Sequence, residues 1–198
     1  MTAAVFAIGA VVAVVLLGLL VATLLAPPFR IWPTPGEKTW QSYVFWPLFR
    51  GLNALCFAAA ITDQPAGWLG LPFWLRILAS IVLAGSIALF VYSFRMLGRD
   101  NSYGAQDGLV TSGIYQWSRN PQNAMLVVVY AALAVAADSA PTYVLCAAMM
   151  AVYYLMILAE EPWLAAVYGE PYRRYCREVP RLFNWRLAAA RARGTSHS

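Results

Sequence analysis

The chain is dominated by long apolar runs that are separated by short polar segments. The first run, residues 3–26, contains no charged residue and would form a helix about 36 Å long, enough to cross a bilayer with some tilt. Pro27 and Pro28 follow the run and end it. Because no basic residue precedes it and it is longer than the apolar part of a secretory signal, we predict a retained transmembrane helix.

Four further apolar runs follow along the chain. They are residues 40–61, 73–94, 122–137 and 142–159. In the second run, Pro47 suits the first turn of a helix that is preceded by an interfacial belt of Trp40, Tyr43 and Trp46. The last two runs are joined by residues 138–141, a connection short enough for a helical hairpin. The pattern therefore predicts an all-α integral membrane protein with about five transmembrane helices, the last two forming a hairpin.

Composition agrees with a membrane location and excludes several soluble classes. Hydrophobic residues make up 61% of the chain and charged residues 12%, against roughly 45–50% and about 25% in soluble domains. A chain of 198 residues cannot bury that excess in one core. A soluble enzyme, a disordered chain and a small disulfide scaffold are therefore excluded. We expect residues 1–185 to form one membrane domain, in which three N-terminal spans (1–94) precede a core (95–185), and the basic tail 186–198 to be disordered.

The basic residues predict an orientation in the membrane. The net charge is +5, but most arginines and lysines lie at the ends of apolar runs or near the C-terminus, which is not the clustered patch of a nucleic-acid-binding protein. With the N-terminus outside, nearly all of them fall on the cytoplasmic side, Arg76 is external and Arg50 lies between. The sequence therefore predicts a plasma (inner) membrane protein with a cytoplasmic C-terminus. Segments 95–121 and 160–185 then share the cytoplasmic face.

Few side chains suit metal binding or histidine-based catalysis. Cys56, Cys146 and Cys176 form no Cys-x-x-Cys motif, and the only histidine, His197, lies in the C-terminal tail. We therefore expect no metal site. Acid–base chemistry would depend on Glu, Asp, Tyr or Lys side chains.

Polar residues concentrate in three segments of the second half, of which the first precedes the fourth run. It contains Gly113, Tyr115 and Arg119-Asn120-Pro121. Asn120 suits the N-cap and Pro121 the first position of a helix. One interpretation is a functional motif. The other is a capped helix whose Arg119 side chain reaches the lipid headgroups.

The second segment is Glu160-Glu161, at the end of the fifth run. Two adjacent carboxylates beside a bilayer are costly unless they are paired or hydrated, which makes both residues candidates for function. The alternative is that Pro162 begins a new interfacial helix, whose first turn favours nearby acids.

The third segment has tyrosines at helical spacing, Tyr168, Tyr172 and Tyr175, with arginines crowding another face. This pattern is typical of an amphipathic helix in the headgroup layer. We therefore predict an interfacial helix after the last span.

Taken in order, these segments resemble a known family. The order is G-x-Y-x-x-x-R-N-P, a helical hairpin, and E-E-x-x-L-x-x-x-Y-G-x-x-Y-x-x-Y-x-x-x-V-P-R, within about residues 95–183. It resembles the isoprenylcysteine carboxyl methyltransferase and phospholipid methyltransferase superfamily, whose members are integral membrane enzymes that use S-adenosylmethionine without a Rossmann domain. The resemblance implies methyl transfer from S-adenosylmethionine to a lipophilic or small membrane-associated acceptor.

The resemblance also implies a cofactor site at the cytoplasmic ends of the last two spans. The implied cofactor-binding residues are Tyr115, Arg119, Asn120, Pro121, Glu160, Glu161 and Tyr168. Arg119 can bind a carboxylate through two N–H groups, and either glutamate can bind an ammonium or ribose hydroxyls. Tyr115 or Tyr168 could border the adenine. Glu160 and Glu161 are also the candidate catalytic bases for an amine acceptor.

The methyl acceptor stays open at this stage. Candidate acceptor-binding residues are Arg50, Asn53, Tyr172 and Arg181; the first two are polar side chains in or near a span and could bind a phosphate or carboxylate. The alternative for Arg50 is a place at the cytoplasmic edge of the span.

The family pattern leaves three functional alternatives. Many relatives carry His where Asn120 stands and Tyr where Asn123 stands, and this departure weakens an assignment to carboxyl methylation. A membrane methyltransferase with an unidentified acceptor is the leading interpretation. The alternatives are a phosphatidylethanolamine N-methyltransferase and a non-enzymatic membrane scaffold with the same fold.

Overall fold

The computed structural model describes residues 2–26, 28–63, 67–97 and 109–183. This part of the chain is helical, with α1 (Thr2–Leu25), α2 (Trp40–Thr62), α3 (Phe73–Leu97), a 3₁₀ helix (Gly113–Gln116), α4 (Pro121–Ala137), α5 (Ala140–Tyr168) and α6 (Glu170–Glu178). The predicted all-α membrane fold is confirmed. The tail 186–198 and the segment 98–108 lie outside the described residues.

Four helices, α1, α2, α3 and α5, are long and apolar enough to cross a bilayer. The remaining predicted span corresponds to α4, an apolar helix of 17 residues. It would be about 25 Å long, which is at the short end of what crosses the hydrocarbon core. The hairpin prediction is confirmed, because α4 and α5 pack against each other across a two-residue connection.

The core of the bundle forms around α5, which contacts α1, α2, α4 and α6. α1 and α5 approach closely at Gly9, where a Cβ atom would lie 2.9 Å from the Leu145 side chain. α3 packs on α4, and its outer surface carries exposed apolar side chains such as Ile81 and Leu89. Such a surface suits lipid tails, which are as apolar as leucine.

Two proline positions differ from the predicted ones. Pro47 lies inside α2, which begins at Trp40. α5 continues through Pro162 to Tyr168, so Pro162 does not begin a new helix. Prolines are tolerated inside membrane helices because neighbouring groups satisfy the backbone atoms that they free. Glu160 therefore projects from a continuous helix, as does its neighbour Glu161.

Asp138 anchors the loop at the opposite end of the bundle. It is fully buried and its φ is +50°. Its carboxylate accepts hydrogen bonds from the N–H groups of Leu69 and Leu71, both at 3.1 Å, and its carbonyl accepts one from the N–H of Trp68 at 2.9 Å. The residues after the second span are thereby fixed to the α4–α5 connection.

Arg76 completes this end of the bundle. Its Nε donates to the carbonyl of Ala136 at 3.0 Å and its Nη2 to the carbonyl of Ala137 at 3.3 Å. These are carbonyls of the last turn of α4, where a cation is favoured by the helix dipole. Ser139 Oγ donates to Asp63 at 2.6 Å and joins α2 to the same connection.

We expect Asp138→Ala to destabilise the protein by about 2 kcal/mol, because it leaves the part-buried N–H groups of Leu69 and Leu71 without their charged acceptor. Thermal unfolding in detergent measures the effect. Asp138→Asn should cost less, since asparagine keeps one acceptor oxygen and tolerates a positive φ. Glu37→Ala, at an exposed position of the α1–α2 loop, is the control. Equal unfolding temperatures for Asp138→Ala and Glu37→Ala would contradict the anchoring role.

Candidate functional site

Segments distant in sequence meet near the C-terminal end of α5, at the carboxylate of Glu161. Arg119 Nη1 lies 3.1 Å from Glu161 Oε1. Arg181 binds both oxygens, with Nε 2.9 Å from Oε1 and Nη2 2.6 Å from Oε2. The side chains of Arg119 and Glu161 are 11% and 18% exposed, so water screens their contact weakly. One carboxylate therefore joins the segment before α4 to the segment after α6.

Backbone contacts hold the two arginines in place. The N–H of Arg119 donates to the carbonyl of Pro180 at 3.1 Å. The carbonyl of Arg181 accepts from Ser118 Oγ at 3.3 Å and from Asn120 Nδ2 at 3.2 Å. Asn120 thus occupies the predicted N-cap position, but its side chain makes no capping hydrogen bond and binds the Arg181 carbonyl instead. These contacts join the Arg119-Asn120-Pro121 segment to the Val179-Pro180-Arg181 segment.

The tyrosines of α6 pack against the inner side of this cluster. Tyr172 and Tyr175 are buried, and Tyr168 packs on them from the end of α5. Tyr175 Oη donates to the carbonyl of Tyr115 at 2.6 Å. The exposed face of α6 carries arginines, which agrees with the predicted amphipathic helix. The apolar face of α6 is therefore used in packing against the protein itself.

Burial makes these tyrosines weak acids. It raises the pKa of Tyr115 to about 12, with a smaller contribution from the nearby Glu160 carboxylate. Burial likewise raises the pKa values of Tyr172 and Tyr175 above their usual range. All three side chains are therefore neutral near pH 7, and they serve as packing and hydrogen-bonding groups.

Glu160 has surroundings different from those of its neighbour. Within the described ranges, no arginine or lysine lies at ion-pair distance from its carboxylate. Trp32, in the loop between α1 and α2, lies against it, and Tyr115 is also nearby. Trp32 is held by stacking on Phe45, with ring centroids 4.9 Å apart. Glu160 is therefore a half-buried acid without a cationic partner in this part of the chain.

One buried donor near the glutamates, Arg119 Nε, has no hydrogen-bond partner among the residues that the structure describes. The Trp32 indole is instead engaged with the Glu160 carboxylate. Buried polar atoms are nearly always paired in folded proteins. Together with Glu160, Arg119 Nε offers one donor and one negative charge to a small ligand that carries both signs of charge.

The structure brings most of the predicted residues together but separates Arg50 and Asn53 from them. Asn53 Oδ1 accepts hydrogen bonds from Tyr130 and Tyr153 inside the bundle, the second at 3.4 Å. Arg50 is exposed on α2, with its guanidinium 5.2 Å from the ring centroid of Trp46. The partners of the two side chains among the described residues are thus Tyr130, Tyr153 and Trp46, which lie apart from the two glutamates and their arginines.

Sequence reasoning did not identify Trp32 or Cys176 as site residues. Cys176 Sγ accepts a hydrogen bond from Arg119 Nη1 at 2.7 Å. Cys176 follows Tyr175 inside the motif, and that position is the signal that could have marked it. For Trp32, the apolar triplet 31–33 within a polar loop could have indicated burial.

The comparisons with known proteins agree with the motifs. Residues 74–171 match the model of a family described as phospholipid methyltransferase. The match begins in α3, ends in α6 and includes Arg119 and both glutamates, whereas Arg181 lies beyond it. It confirms the resemblance to the membrane methyltransferase superfamily. No curated protein and no solved structure matches the chain.

We expect Glu161→Gln to loosen α6 and residues 179–181 from the bundle. Losing a shielded carboxylate that pairs with two arginines should lower the free energy of unfolding by about 2–3 kcal/mol. The loss is smaller than for a fully buried pair because Glu161 is partly exposed. Hydrogen exchange of residues 170–181 and thermal unfolding measure the effect.

The matched control is Glu170→Gln, which removes the ion pair with Arg177 on the same helix. That pair is 2.8 Å long, but its side chains are 61–62% exposed, so little change is expected. Similar increases in exchange for both variants would contradict a special role for Glu161.

Proposed function

Because residues 74–171 match the phospholipid methyltransferase family, we propose that this chain is an integral membrane methyltransferase that uses S-adenosylmethionine. The observation that carries the proposal is the unequal pairing of the two glutamates. Glu161 is bound by Arg119 and Arg181, whereas Glu160 has no cationic partner in the described part of the chain. Glu161 therefore organises the site, and Glu160 is available to a ligand.

The residues around Glu160 suit the polar groups of the cofactor. S-adenosylmethionine carries an ammonium, a carboxylate and ribose hydroxyls, and its sulfonium supplies the methyl group. Glu160 would accept hydrogen bonds from the ribose hydroxyls through one oxygen, which leaves the other for the acceptor, and the unpartnered Nε–H of Arg119 would donate to an acceptor oxygen of the cofactor. Tyr115 and Tyr168 would border the adenine. Asn120 and Pro121 would support this arrangement through the start of α4.

Methyl transfer depends mainly on how the protein positions the cofactor and the acceptor. The acceptor's lone pair forms a bond to the methyl carbon, the carbon–sulfur bond breaks, and its electrons stay on a neutral thioether. Holding the reacting atoms about 3–3.5 Å apart therefore supplies much of the acceleration. The aromatic rings of Trp32 and Tyr115 would exclude water from the nucleophile. With an amine acceptor, Glu160 is the carboxylate free to accept the proton that must leave.

We expect the purified protein to bind S-adenosylmethionine and S-adenosylhomocysteine, and Glu160→Gln to weaken that binding at least about tenfold through loss of a charged contact. Calorimetry in detergent and in nanodiscs measures both. Glu178→Gln, an exposed position on α6, is the control and should bind as the parent does. A folded parent protein that binds neither ligand would refute the methyltransferase and favour a non-enzymatic scaffold. Equal binding by Glu160→Gln would refute the role given to Glu160.

The unpaired Glu160 also favours an amine as the methyl acceptor. Both arginines of the site pair with Glu161, and the remaining N–H of Arg119 is assigned to the cofactor, so a carboxylate acceptor would meet a like charge at Glu160. A primary amine would meet an opposite charge. We therefore place phosphatidylethanolamine ahead of a carboxyl acceptor, with Tyr172 and Arg181 near its headgroup. Asn120, where many carboxyl methyltransferases have histidine, supports the same order.

We expect nanodiscs that contain phosphatidylethanolamine to yield N-methylated lipid when they are incubated with the protein and methyl-deuterated S-adenosylmethionine. Mass spectrometry of the extracted lipids detects the label. Glu178→Gln should give the parent yield and Glu160→Gln much less. Label on an added prenylcysteine carboxylate and none on the lipid would reverse the proposed order of acceptors.

A further inference from the structure

The loop between α1 and α2 holds Trp32 in a fixed place at the glutamate end of the bundle. The Trp32 side chain is 7% exposed and stacks on Phe45, with ring centroids 4.9 Å apart. Phe45 stacks in turn on Phe49, one turn further along α2, at 5.3 Å. The N–H of Ile31 donates to Thr23 Oγ1 at 3.1 Å, which ties the loop to α1. Contacts with two helices therefore fix the position of the indole ring.

The N–H group of this indole is directed to one acceptor. Trp32 Nε1 is buried, and the acceptor beside it among the described residues is the Glu160 carboxylate. An indole N–H can only donate, and when buried it usually finds a partner. A carboxylate has about four acceptor positions, so one contact leaves room for a ligand. Trp32 therefore gives Glu160 a neutral donor, which does not cancel its charge.

A glutamate without such a contact would be free to turn. Its side chain has three rotatable bonds, and fixing them when a ligand binds costs conformational entropy. The neighbouring cluster of Arg119 and Arg181 around Glu161 would also attract a second carboxylate. An indole held by two helices opposes both effects, because it orders the Glu160 carboxylate before the ligand arrives.

We propose that Trp32 is a positioning residue, whose indole N–H holds the Glu160 carboxylate toward the cofactor site and away from the arginine cluster. This role rests on the function proposed above, in which Glu160 accepts from the ribose hydroxyls. It gives the α1–α2 loop a part in the site, although the family match begins only at residue 74. The first two helices would then serve binding as well as membrane insertion.

The first test is nuclear magnetic resonance of the indole N–H groups in detergent micelles, without any ligand. The chain has eight tryptophans, and Trp32→Phe, or Trp32→Tyr if the smaller ring impairs folding, identifies the Trp32 signal by its loss. We expect Glu160→Gln to shift this signal upfield, because the indole loses a charged acceptor. Glu178→Gln, at an exposed position on α6, should leave it unchanged. A Trp32 signal that does not respond to Glu160→Gln would overturn the positioning role.

A double-mutant cycle then separates positioning from a general loss of structure. Trp32→Phe keeps a ring against Phe45 and removes the N–H group. We expect it to weaken binding of S-adenosylhomocysteine about tenfold in the parent, measured by calorimetry, and to have little effect when Glu160→Gln is already present. Trp40→Phe, at an exposed position at the start of α2, is the matched control and should bind as the parent does. Equal losses in the two backgrounds would indicate a purely structural role and overturn the proposal.

Failure of this role and failure of the proposed function would look different. A folded parent that binds neither S-adenosylmethionine nor S-adenosylhomocysteine refutes the methyltransferase, while the indole signal still decides whether Trp32 holds Glu160. Intact binding by the parent, together with an unresponsive indole signal or equal losses in both backgrounds, overturns positioning by Trp32 and leaves the methyltransferase standing.

Discussion

The candidate site depends on the carboxylate of Glu161. Arg119 precedes α4 and Arg181 follows α6, and one anion lies between their two guanidinium groups. Without it, two partly shielded cations would repel each other at close range. Their pairing holds residues 113–121 against residues 179–181, and this places Tyr115 and the tyrosines of α6 around the end of α5. The ion pairs of Glu161 with Arg119 and Arg181 therefore also give the site its shape.

Adjacent residues on a helix project about 100° apart, so the side chains of Glu160 and Glu161 point into different surroundings. Glu161 projects into the arginine cluster, where arginines bind both of its oxygens. Glu160 projects toward Trp32 and Tyr115, where the surroundings are aromatic. A single turn of α5 therefore presents one carboxylate that stabilises the fold and one that stays open to a ligand. The two cannot exchange roles without a rotation of the helix.

The sequence predicts the spans well because hydropathy reports burial in lipid directly, and the ends of α1 and α2 fall within one residue of the predicted runs. It does not predict that α2 and α5 continue through Pro47 and Pro162, since a proline's cost depends on the neighbours that satisfy the freed backbone groups. The motif likewise identifies both glutamates without telling them apart, because the partners of Glu161 come from other segments. Arg50 and Asn53 are both polar residues within the same apolar run, yet the first is exposed and the second lies within the bundle. Such differences are decided by tertiary packing.

The two ends of the bundle show how polar groups can serve folding or binding. At one end, Asp138 accepts from three backbone N–H groups and Arg76 donates to the last carbonyls of α4, so these polar groups find partners within the protein. At the other end, Glu160 has no cationic partner and the buried Nε–H of Arg119 is unpartnered among the described residues. Unmet charge and hydrogen-bonding capacity are costly in a folded chain unless a ligand uses them. The glutamate end is therefore the end of the bundle where we expect a ligand to bind.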